Sequence, residues 1–129
     1  MNMTPHRVQI KDIRIGQDCP LALIAGPCVI EDPILTFDIA RDLKSITEKL
    51  GIPFIFKASY DKANRTSIHS FRGPGIEEGL TILAHIKSAL DIPVISDVHR
   101  IQDVEKVSDV LDIIQVPAFL CRQTDFLLE

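Results

Sequence analysis

The sequence lacks the features of a membrane protein, a secreted protein or a nucleic-acid-binding protein. None of its apolar runs approaches the ~20 residues that cross a bilayer, and the polar residues 1–14 contain no apolar signal-peptide core. Three cysteines without a disulfide pattern are typical of reduced thiols in the cytosol. The net charge of −4 provides no basic excess for nucleic acid or anionic lipid. We therefore expect a cytoplasmic protein that binds neither nucleic acids nor membranes.

Two glycine motifs of nucleotide-binding proteins are also missing. The sequence contains neither GxGxxG nor Gly-Lys-Ser/Thr, so we expect neither a Rossmann nor a Walker phosphate loop. Its 129 residues, 46% hydrophobic and 25% charged, are ordinary for a single globular domain. We expect one domain over residues 1–129, in which residues 1–18 form an N-terminal cap. Within that cap, residues 8–10 and 13–15 predict a small β-hairpin.

Short apolar runs alternate with amphipathic runs along the rest of the chain. Residues 21–26 and 54–57 predict two strands, the first of them buried on both faces. Asp32 as N-cap and Pro33 at the first helical position predict the start of a helix. Gly51 predicts the end of this helix. The apolar residues of this helix recur every three or four positions and form one stripe: Leu35, Ile39, Leu43, Ile46 and Leu50.

The same alternation continues in the second half of the chain. Residues 76–90 predict a second helix, residues 94–97 a third strand and residues 112–116 a fourth. A shorter helix around Val104 and Val107 separates the last two strands, and residues 122–129 begin another helix. Four strand–helix units of this kind predict an α/β fold with a parallel sheet and right-handed crossovers.

Polar residues follow the predicted strands, where parallel α/β proteins bind their ligands. Because side chains alternate between the two faces of a strand, Lys57 shares a face with Ser59, and Asp97 shares a face with His99. Gln115 ends the fourth strand in the same way. If this face is the interior, three strands bring Lys57, Asp97 and Gln115 to one opening.

The segment after the second strand concentrates positive charge in an acidic protein. Lys57, Lys62 and Arg65 lie within nine residues, beside the amide of Asn64. Such a cluster at a binding edge indicates phosphate or carboxylate ligands, since arginine offers a bidentate fork and lysine a mobile charge. The alternative is a solvated surface loop. Residues 71–75, with the sequence Phe-Arg-Gly-Pro-Gly, predict either a rigid lip of the site or a plain turn.

Cys28 follows the first predicted strand directly after Gly26 and Pro27. A thiolate at that position is suited to bind a metal ion. The alternative interpretation is that Cys28 is a small buried apolar side chain.

Four segments resemble a known family, the 3-deoxy-D-manno-octulosonate 8-phosphate synthases. They are residues 26–31, 56–67, 71–75 and 112–125, and the resemblance extends over the chain from Leu21 onward. The stretches Asp-Lys-Ala-Asn-Arg and Pro-Ala-Phe-Leu-Cys-Arg-Gln-Thr favour this family. The related 3-deoxy-heptulosonate 7-phosphate synthases share the Gly-Pro-Cys start and are the alternative.

The resemblance implies a TIM (β/α)8 barrel, usually a homotetramer. It also implies a reaction of phosphoenolpyruvate, arabinose 5-phosphate and water on the route to the lipopolysaccharide core. Because such a barrel takes about 250 residues, we expect four units to form its amino-terminal half. A different interpretation is that the chain as given is a catalytically inert fragment, or is active only with a complementary half.

Roles of single residues are implied by the same resemblance. The expected catalytic residues are Lys57, Lys62, Asn64 and Asp97. The expected substrate-binding residues are Ser59, Arg65, Gln115, Ala118, Phe119 and Arg122, of which Arg122 reaches the sugar phosphate of a neighbouring subunit. Cys28 implies the metal-requiring branch of the family, whose divalent ion has further ligands, a His, a Glu and an Asp, on later strands. No organic cofactor is expected.

Overall fold

A computed structural model of the chain describes residues 6–129 as a hairpin and a four-stranded sheet with helices. Residues 1–5 of the predicted cap lie outside the described part. The strands are β1 (Arg7–Ile10), β2 (Ile13–Gly16), β3 (Leu23–Ala25), β4 (Phe54–Lys57), β5 (Val94–Asp97) and β6 (Ile113–Gln115). The helices are α1 (Pro33–Leu50), α2 (Ile76–Leu90), α3 (Val104–Ser108) and α4 (Thr124–Leu128), with 3-10 turns at Ile101–Asp103 and Ala118–Leu120.

The sheet has the strand order β3-β4-β5-β6, and all its pairs are parallel. This confirms the predicted α/β fold. Phe54, Phe56 and Val94 face the helices and belong to the larger apolar core, together with Leu83 and Ile86 of α2. The alternate residues of the same strands form the opposite face of the sheet. Among the described residues, no helix combines the length and hydropathy needed to cross a bilayer.

Helix α1 begins and ends where the sequence predicts. The carboxylate of Asp32 accepts a hydrogen bond from the backbone N–H of Leu35 at 2.7 Å, and Pro33 occupies the first helical position. Gly51 ends the helix in the left-handed conformation, with φ of 65°. Glycine adopts this conformation without the steric cost that a Cβ atom would add.

The apolar stripe of α1 is not its buried face. The buried residues of this helix are Thr36, Ala40 and Thr47, whereas Leu50 is 65% exposed. Leu35 and Ile46 are also exposed, and only Ile39 and Leu43 of the stripe pack against the core. The threonine hydroxyls are satisfied within the helix, because Thr36 donates to the carbonyl of Asp32 and Thr47 to that of Leu43.

Strand β3 does not have the predicted burial on both faces. Leu21, Leu23 and Ile24 are exposed, Ile24 to 47%. The reason is that β3 lies at one edge of the sheet and pairs with β4 alone among the described strands. At its end, Gly26 approaches β4 so closely that a Cβ atom would lie 1.9 Å from the carbonyl oxygen of Lys57.

The predicted hairpin is present, and its apolar side packs on the sheet. Strands β1 and β2 pair antiparallel, with Ile10 opposite Ile13. These two residues form a second apolar cluster with Ile55 of β4 and Ile95 of β5. Ile55 and Ile95 lie two residues before Lys57 and Asp97 on the same face. The hairpin therefore covers this face at the end of the strands opposite to the predicted site.

Candidate functional site

Lys57, Ser59 and Asp97 form a network of contacts at the carboxyl ends of β4 and β5, called the network below. Lys57 Nζ donates a hydrogen bond to Ser59 Oγ at 3.0 Å, and Ser59 Oγ donates to Asp97 Oδ1. Lys57 Nζ also lies 3.9 Å from Asp97 Oδ1. Ser59 is buried, and the side chain of Asp97 is only 7% exposed. The alternation of strand side chains thus brings three of the predicted site residues together.

The electrostatic environment of Lys57 disfavours its charge. Partial burial lowers the pKa of Lys57, and the nearby ammonium of Lys62 lowers it further, while Asp97 opposes the shift. An anion bound beside Lys57 would supply the negative charge that two neighbouring lysines lack. The site is therefore suited to bind an anionic ligand.

His99 contacts the same carboxylate from its other side. Its Nε2 atom lies 3.0 Å from Asp97 Oδ2, and its side chain is 9% exposed. The ring stacks on Phe119 at 6.2 Å and meets Tyr60 edge-on at 6.4 Å between centroids. His99 is not among the site residues predicted from the sequence. The available signal was its position two residues after Asp97, on the same face.

Hydrogen bonds join the two ends of the loop between β4 and α2. The backbone N–H of Lys62 donates to the carbonyl of Arg72 at 2.8 Å, and that of Gly75 donates to Tyr60 at 3.0 Å. The guanidinium of Arg72 donates to both carboxylate oxygens of Asp61, at 2.8 and 2.6 Å. Burial raises the pKa of Asp61, but the Arg72 hydrogen bond and charge outweigh it and lower this pKa overall. Residues 71–75 therefore form one side of a closed loop.

The loop carries the other predicted cationic residues in different surroundings. Lys62 is half-buried beside Lys57, whereas Asn64 and Arg65, which follow it in the loop, are exposed. Arg65 is held by a hydrogen bond of 3.1 Å from its Nε to the carbonyl of Phe71. The structure thus places Lys62 beside the buried network, and it presents Asn64 and Arg65 to solvent.

The remaining predicted residues lie on the fourth strand and in the segment that follows it. Gln115 is the register partner of Asp97 in β6 but is exposed. Ala118 and Phe119 lie in the following 3-10 turn, and Arg122 follows it; all three are exposed. Two of these four residues are linked to the Lys57–Ser59–Asp97 network: Gln115 through its strand pairing with Asp97, and Phe119 through its stacking on His99.

A cavity of about 400 Å³ opens beside His99. Two pairs of arginine and aspartate, Arg72 with Asp61 and Arg100 with Asp103, form part of its wall. Its volume is within the range of small-molecule sites. The rest of the wall consists of Tyr60, Ala63, Gly75, Ile76, His99 and Phe119.

The described residues do not complete a metal site. Cys28 is exposed rather than a small buried side chain, which corrects the alternative interpretation of this residue. Its charge contributes weakly to the pKa of Lys57, so the thiol lies at the same end of the sheet. Within residues 6–129, no three His, Cys, Asp or Glu side chains cluster as metal ligands would. Cys28 is thus one donor without the rest of a coordination shell.

The parallel sheet with a cationic, partly buried site at its strand ends is typical of an α/β enzyme that handles anions. Residues 3–129 match the model of the DAHP synthetase I family, and the chain belongs to this family.

Several curated relatives have one name in common, 2-dehydro-3-deoxyphosphooctonate aldolase. The chain is 60% identical to that of Desulfosudis oleivorans over 120 residues, which are 93% of this chain and 43% of the relative. It is 55% identical to the one of Geotalea uraniireducens over 121 residues, 94% of this chain and 44% of the relative. The relative from Coxiella burnetii is 58% identical over 120 residues, again 93% and 43%. The chain therefore spans less than half the length of the relatives it matches.

Proposed function

We propose that this chain carries the phosphoenolpyruvate site of a 3-deoxy-D-manno-octulosonate 8-phosphate synthase. The observation that carries the proposal is the buried Lys57–Ser59–Asp97 network at the strand ends of a chain about 60% identical to a 2-dehydro-3-deoxyphosphooctonate aldolase. The reaction joins phosphoenolpyruvate, arabinose 5-phosphate and water, and releases inorganic phosphate. Its product belongs to the route to the lipopolysaccharide core, and a cytoplasmic location is part of the proposal.

The four-stranded sheet is proposed to be the amino-terminal half of a (β/α)8 barrel. Three observations support this. The sheet is parallel and open at β3 and β6, the interior-facing Ile24 is 47% exposed, and the relatives are more than twice as long as the matched segment. Eight strands close a barrel whose interior is filled by side chains. Further strands would cover Ile24 and complete the opening that surrounds Lys57.

The phosphoenolpyruvate pocket is assigned to Lys57, Ser59 and Lys62, with Gln115 and Ala118 at its side. Phosphoenolpyruvate has a carboxylate and a phosphate, so its binding requires several positive charges in one place. Burial lowers the pKa of Lys57 most, and repulsion from the ammonium group of Lys62 lowers it further in the free protein. Binding of the anion relieves this repulsion, and the relief contributes to affinity.

The sugar phosphate is assigned to the loop that follows β4. Asn64 and Arg65 are exposed, and thus accessible to arabinose 5-phosphate. Asp97 is assigned to the hydroxyl groups of the same substrate, because a carboxylate oxygen can accept a second hydrogen bond besides those of Ser59 and His99. Phe119 and Arg122 are exposed in the segment that follows β6. In a homotetramer, Arg122 would extend to the sugar phosphate of a neighbouring subunit, which gives the exposed guanidinium an anionic partner.

The proposed chemistry forms one carbon–carbon bond and one carbon–oxygen bond from water, and it breaks the carbon–oxygen bond to the phosphate. The methylene carbon of phosphoenolpyruvate attacks the aldehyde carbon of the sugar, whose oxygen takes a proton and becomes a hydroxyl group. Water adds to the neighbouring carbon of phosphoenolpyruvate, the bond from that carbon to the phosphate oxygen breaks, and the water oxygen becomes the keto oxygen of the product. Of the two protons of the water, one balances the proton taken up by the sugar oxygen and the other leaves with the phosphate. Lys57, Lys62 and Asn64 hold the two anions close together and offset their repulsion.

A divalent metal ion bound through Cys28 remains part of the proposal. The described residues provide this one thiol. A complete metal site would need further ligands, which would come from the part of the longer relatives that this chain does not match. No step of the reaction above depends on the ion. An organic cofactor is not part of the proposal.

A heptulosonate 7-phosphate synthase is the alternative within the same family. The relatives reported above carry the octulosonate name, which favours arabinose 5-phosphate as the sugar. The two reactions differ in the acceptor, so the preference between arabinose 5-phosphate and erythrose 4-phosphate distinguishes them.

A chimera tests the proposal. Residues 6–129 replace the matching segment of the Desulfosudis oleivorans relative, and phosphate release from phosphoenolpyruvate is measured with each acceptor. We expect release with arabinose 5-phosphate and a loss of at least about 100-fold in kcat/KM for Lys57→Met, since a positioned charge contributes on the order of 10²-fold or more. The unmodified relative is the control. A folded chimera that shows no turnover, or that prefers erythrose 4-phosphate, contradicts the proposal. The 129-residue chain alone is expected to release no phosphate.

A further inference from the structure

The side chain of His99 is fixed by two aromatic rings and by a carboxylate. Its ring lies between Tyr60 and Phe119, with ring centroids at 6.4 and 6.2 Å. Tyr60 is buried, so one side of this clamp belongs to the core. The side chain of His99 is 9% exposed, and its Nε2 atom lies 3.0 Å from Asp97 Oδ2. Packing therefore fixes which ring atom meets the carboxylate.

The contact between His99 and Asp97 determines where a proton lies. A carboxylate oxygen only accepts hydrogen bonds, and an unprotonated imidazole nitrogen also only accepts. At 3.0 Å the two atoms would repel each other unless Nε2 carries a hydrogen. In either the neutral or the charged ring, Nε2 is therefore the protonated nitrogen that faces Asp97.

Both oxygens of the Asp97 carboxylate are then in use. Oδ1 accepts from Ser59, whose oxygen in turn accepts from Lys57, and Oδ2 faces His99. A carboxylate held at only one oxygen can rotate about its side-chain bonds. We propose that His99 is a positioning residue: it fixes the orientation of Asp97, and through Ser59 it fixes the ammonium group of Lys57. This inference rests on the proposed function for its effect on catalysis.

Two substitutions separate positioning from packing. His99→Gln keeps an N–H donor near the position of Nε2 but removes the ring, and His99→Phe keeps the ring but removes the donor. In the chimera described above, we expect kcat/KM to fall roughly 10- to 100-fold in His99→Phe, as expected for a lost hydrogen bond to a charged group. His99→Gln should stay within about threefold of the unmodified chimera. The reverse order, with His99→Phe active and His99→Gln impaired, would show that the ring only fills space.

A second measurement does not depend on activity. Nitrogen-15 spectra of the imidazole rings in the 129-residue chain report which nitrogen is protonated, and the His99 signals are those missing from His99→Gln. We expect a protonated Nε2 in the unmodified chain and a changed His99 spectrum in Asp97→Asn. An unprotonated Nε2, or a spectrum that ignores Asp97→Asn, overturns the inference. An inactive chimera would contradict the proposed function, while the spectra would still decide the contact between His99 and Asp97.

Discussion

Ile55 and Lys57 lie two residues apart on one face of β4, yet their surroundings are opposite in kind. Ile55 is fully buried against Ile95 and the hairpin residues Ile10 and Ile13. Lys57 contacts Ser59 and Asp97 and has a pKa lowered by its burial. One end of this strand therefore removes apolar surface from water, and the other end holds a charge where charge is unfavourable.

This difference separates stability from function along a single strand. Apolar burial contributes to the free energy of folding in proportion to area. A partly desolvated lysine beside another lysine does the opposite, and such perturbed groups are found at functional sites. The comparison predicts that truncation near the hairpin reduces stability, whereas neutralisation of Lys57 reduces ligand binding without a loss of stability at pH 7.

The largest effect is expected at the apolar end. Ile55→Ala should lower the free energy of unfolding by about 3–4 kcal/mol, because it leaves a cavity in a packed cluster. Urea unfolding of the 129-residue chain measures this value. Ile24→Ala, on the same face of the exposed strand β3, is the matched control and should lose about 1 kcal/mol or less. Equal losses at the two positions would show that the hairpin cluster is not tightly packed.

A smaller effect of the opposite sign is expected at the polar end. The pKa of Lys57 is lower in the folded chain than its ordinary value of 10.5. At pH values between the lowered pKa and 10.5, the unfolded chain binds more protons than the folded chain. The free energy of unfolding of the unmodified chain therefore rises with pH in this range. Lys57→Met lacks this rise. We expect the variant to be at least as stable as the unmodified chain at pH 7, with an advantage that shrinks as the pH approaches 10.5.

Urea unfolding at pH 7 and at pH 10 measures the effect of Lys57→Met. Lys49→Met, on the exposed last turn of α1, controls for the loss of one positive charge. A Lys57→Met variant that is clearly less stable at pH 7 would mean that the contacts with Ser59 and Asp97 outweigh the cost of burying the ammonium group.

The smallest effect is expected at the ion pair of Asp61 and Arg72, which lies in the loop between β4 and α2. The lowered pKa of Asp61 means that the pair stabilises the fold above the ordinary value of 3.8, and that this contribution is lost as the pH falls through the lowered pKa. Arg72→Gln should therefore reduce the melting temperature slightly at pH 6, and this reduction should shrink as the pH falls below 3.8. The double variant with Asp61→Asn completes a thermodynamic cycle. A pH-independent difference would contradict the ion-pair explanation.

Much of the fold could be predicted from local signals. Asp32, Pro33 and Gly51 give the ends of α1, since each acts through its own backbone geometry. The alternation of strand side chains predicts the shared face of Lys57 and Ser59, because its period does not depend on distant parts of the chain. Features with a local physical cause were therefore predicted correctly.

Burial depends on which elements are neighbours, and here the sequence was a poorer guide. Leu50 and Ile46 look like core residues by spacing, but Thr36 and Ala40 are the buried residues instead. Strand β3 looks fully buried by composition and is an edge. His99 was missed because its role depends on contacts with Asp97 and Phe119, and the sequence gives no distance between residues on separate elements.

The packing of the hairpin on β5 has a consequence for synthesis on the ribosome. Ile13 is made more than 80 residues before its partner Ile95. At ~5–20 residues per second, the interval is roughly 4–16 s. Closing a loop of this length has an entropic cost that local contacts do not repay. The apolar side of the hairpin therefore cannot be fully covered until β5 has been made, and until then part of it is an exposed apolar surface.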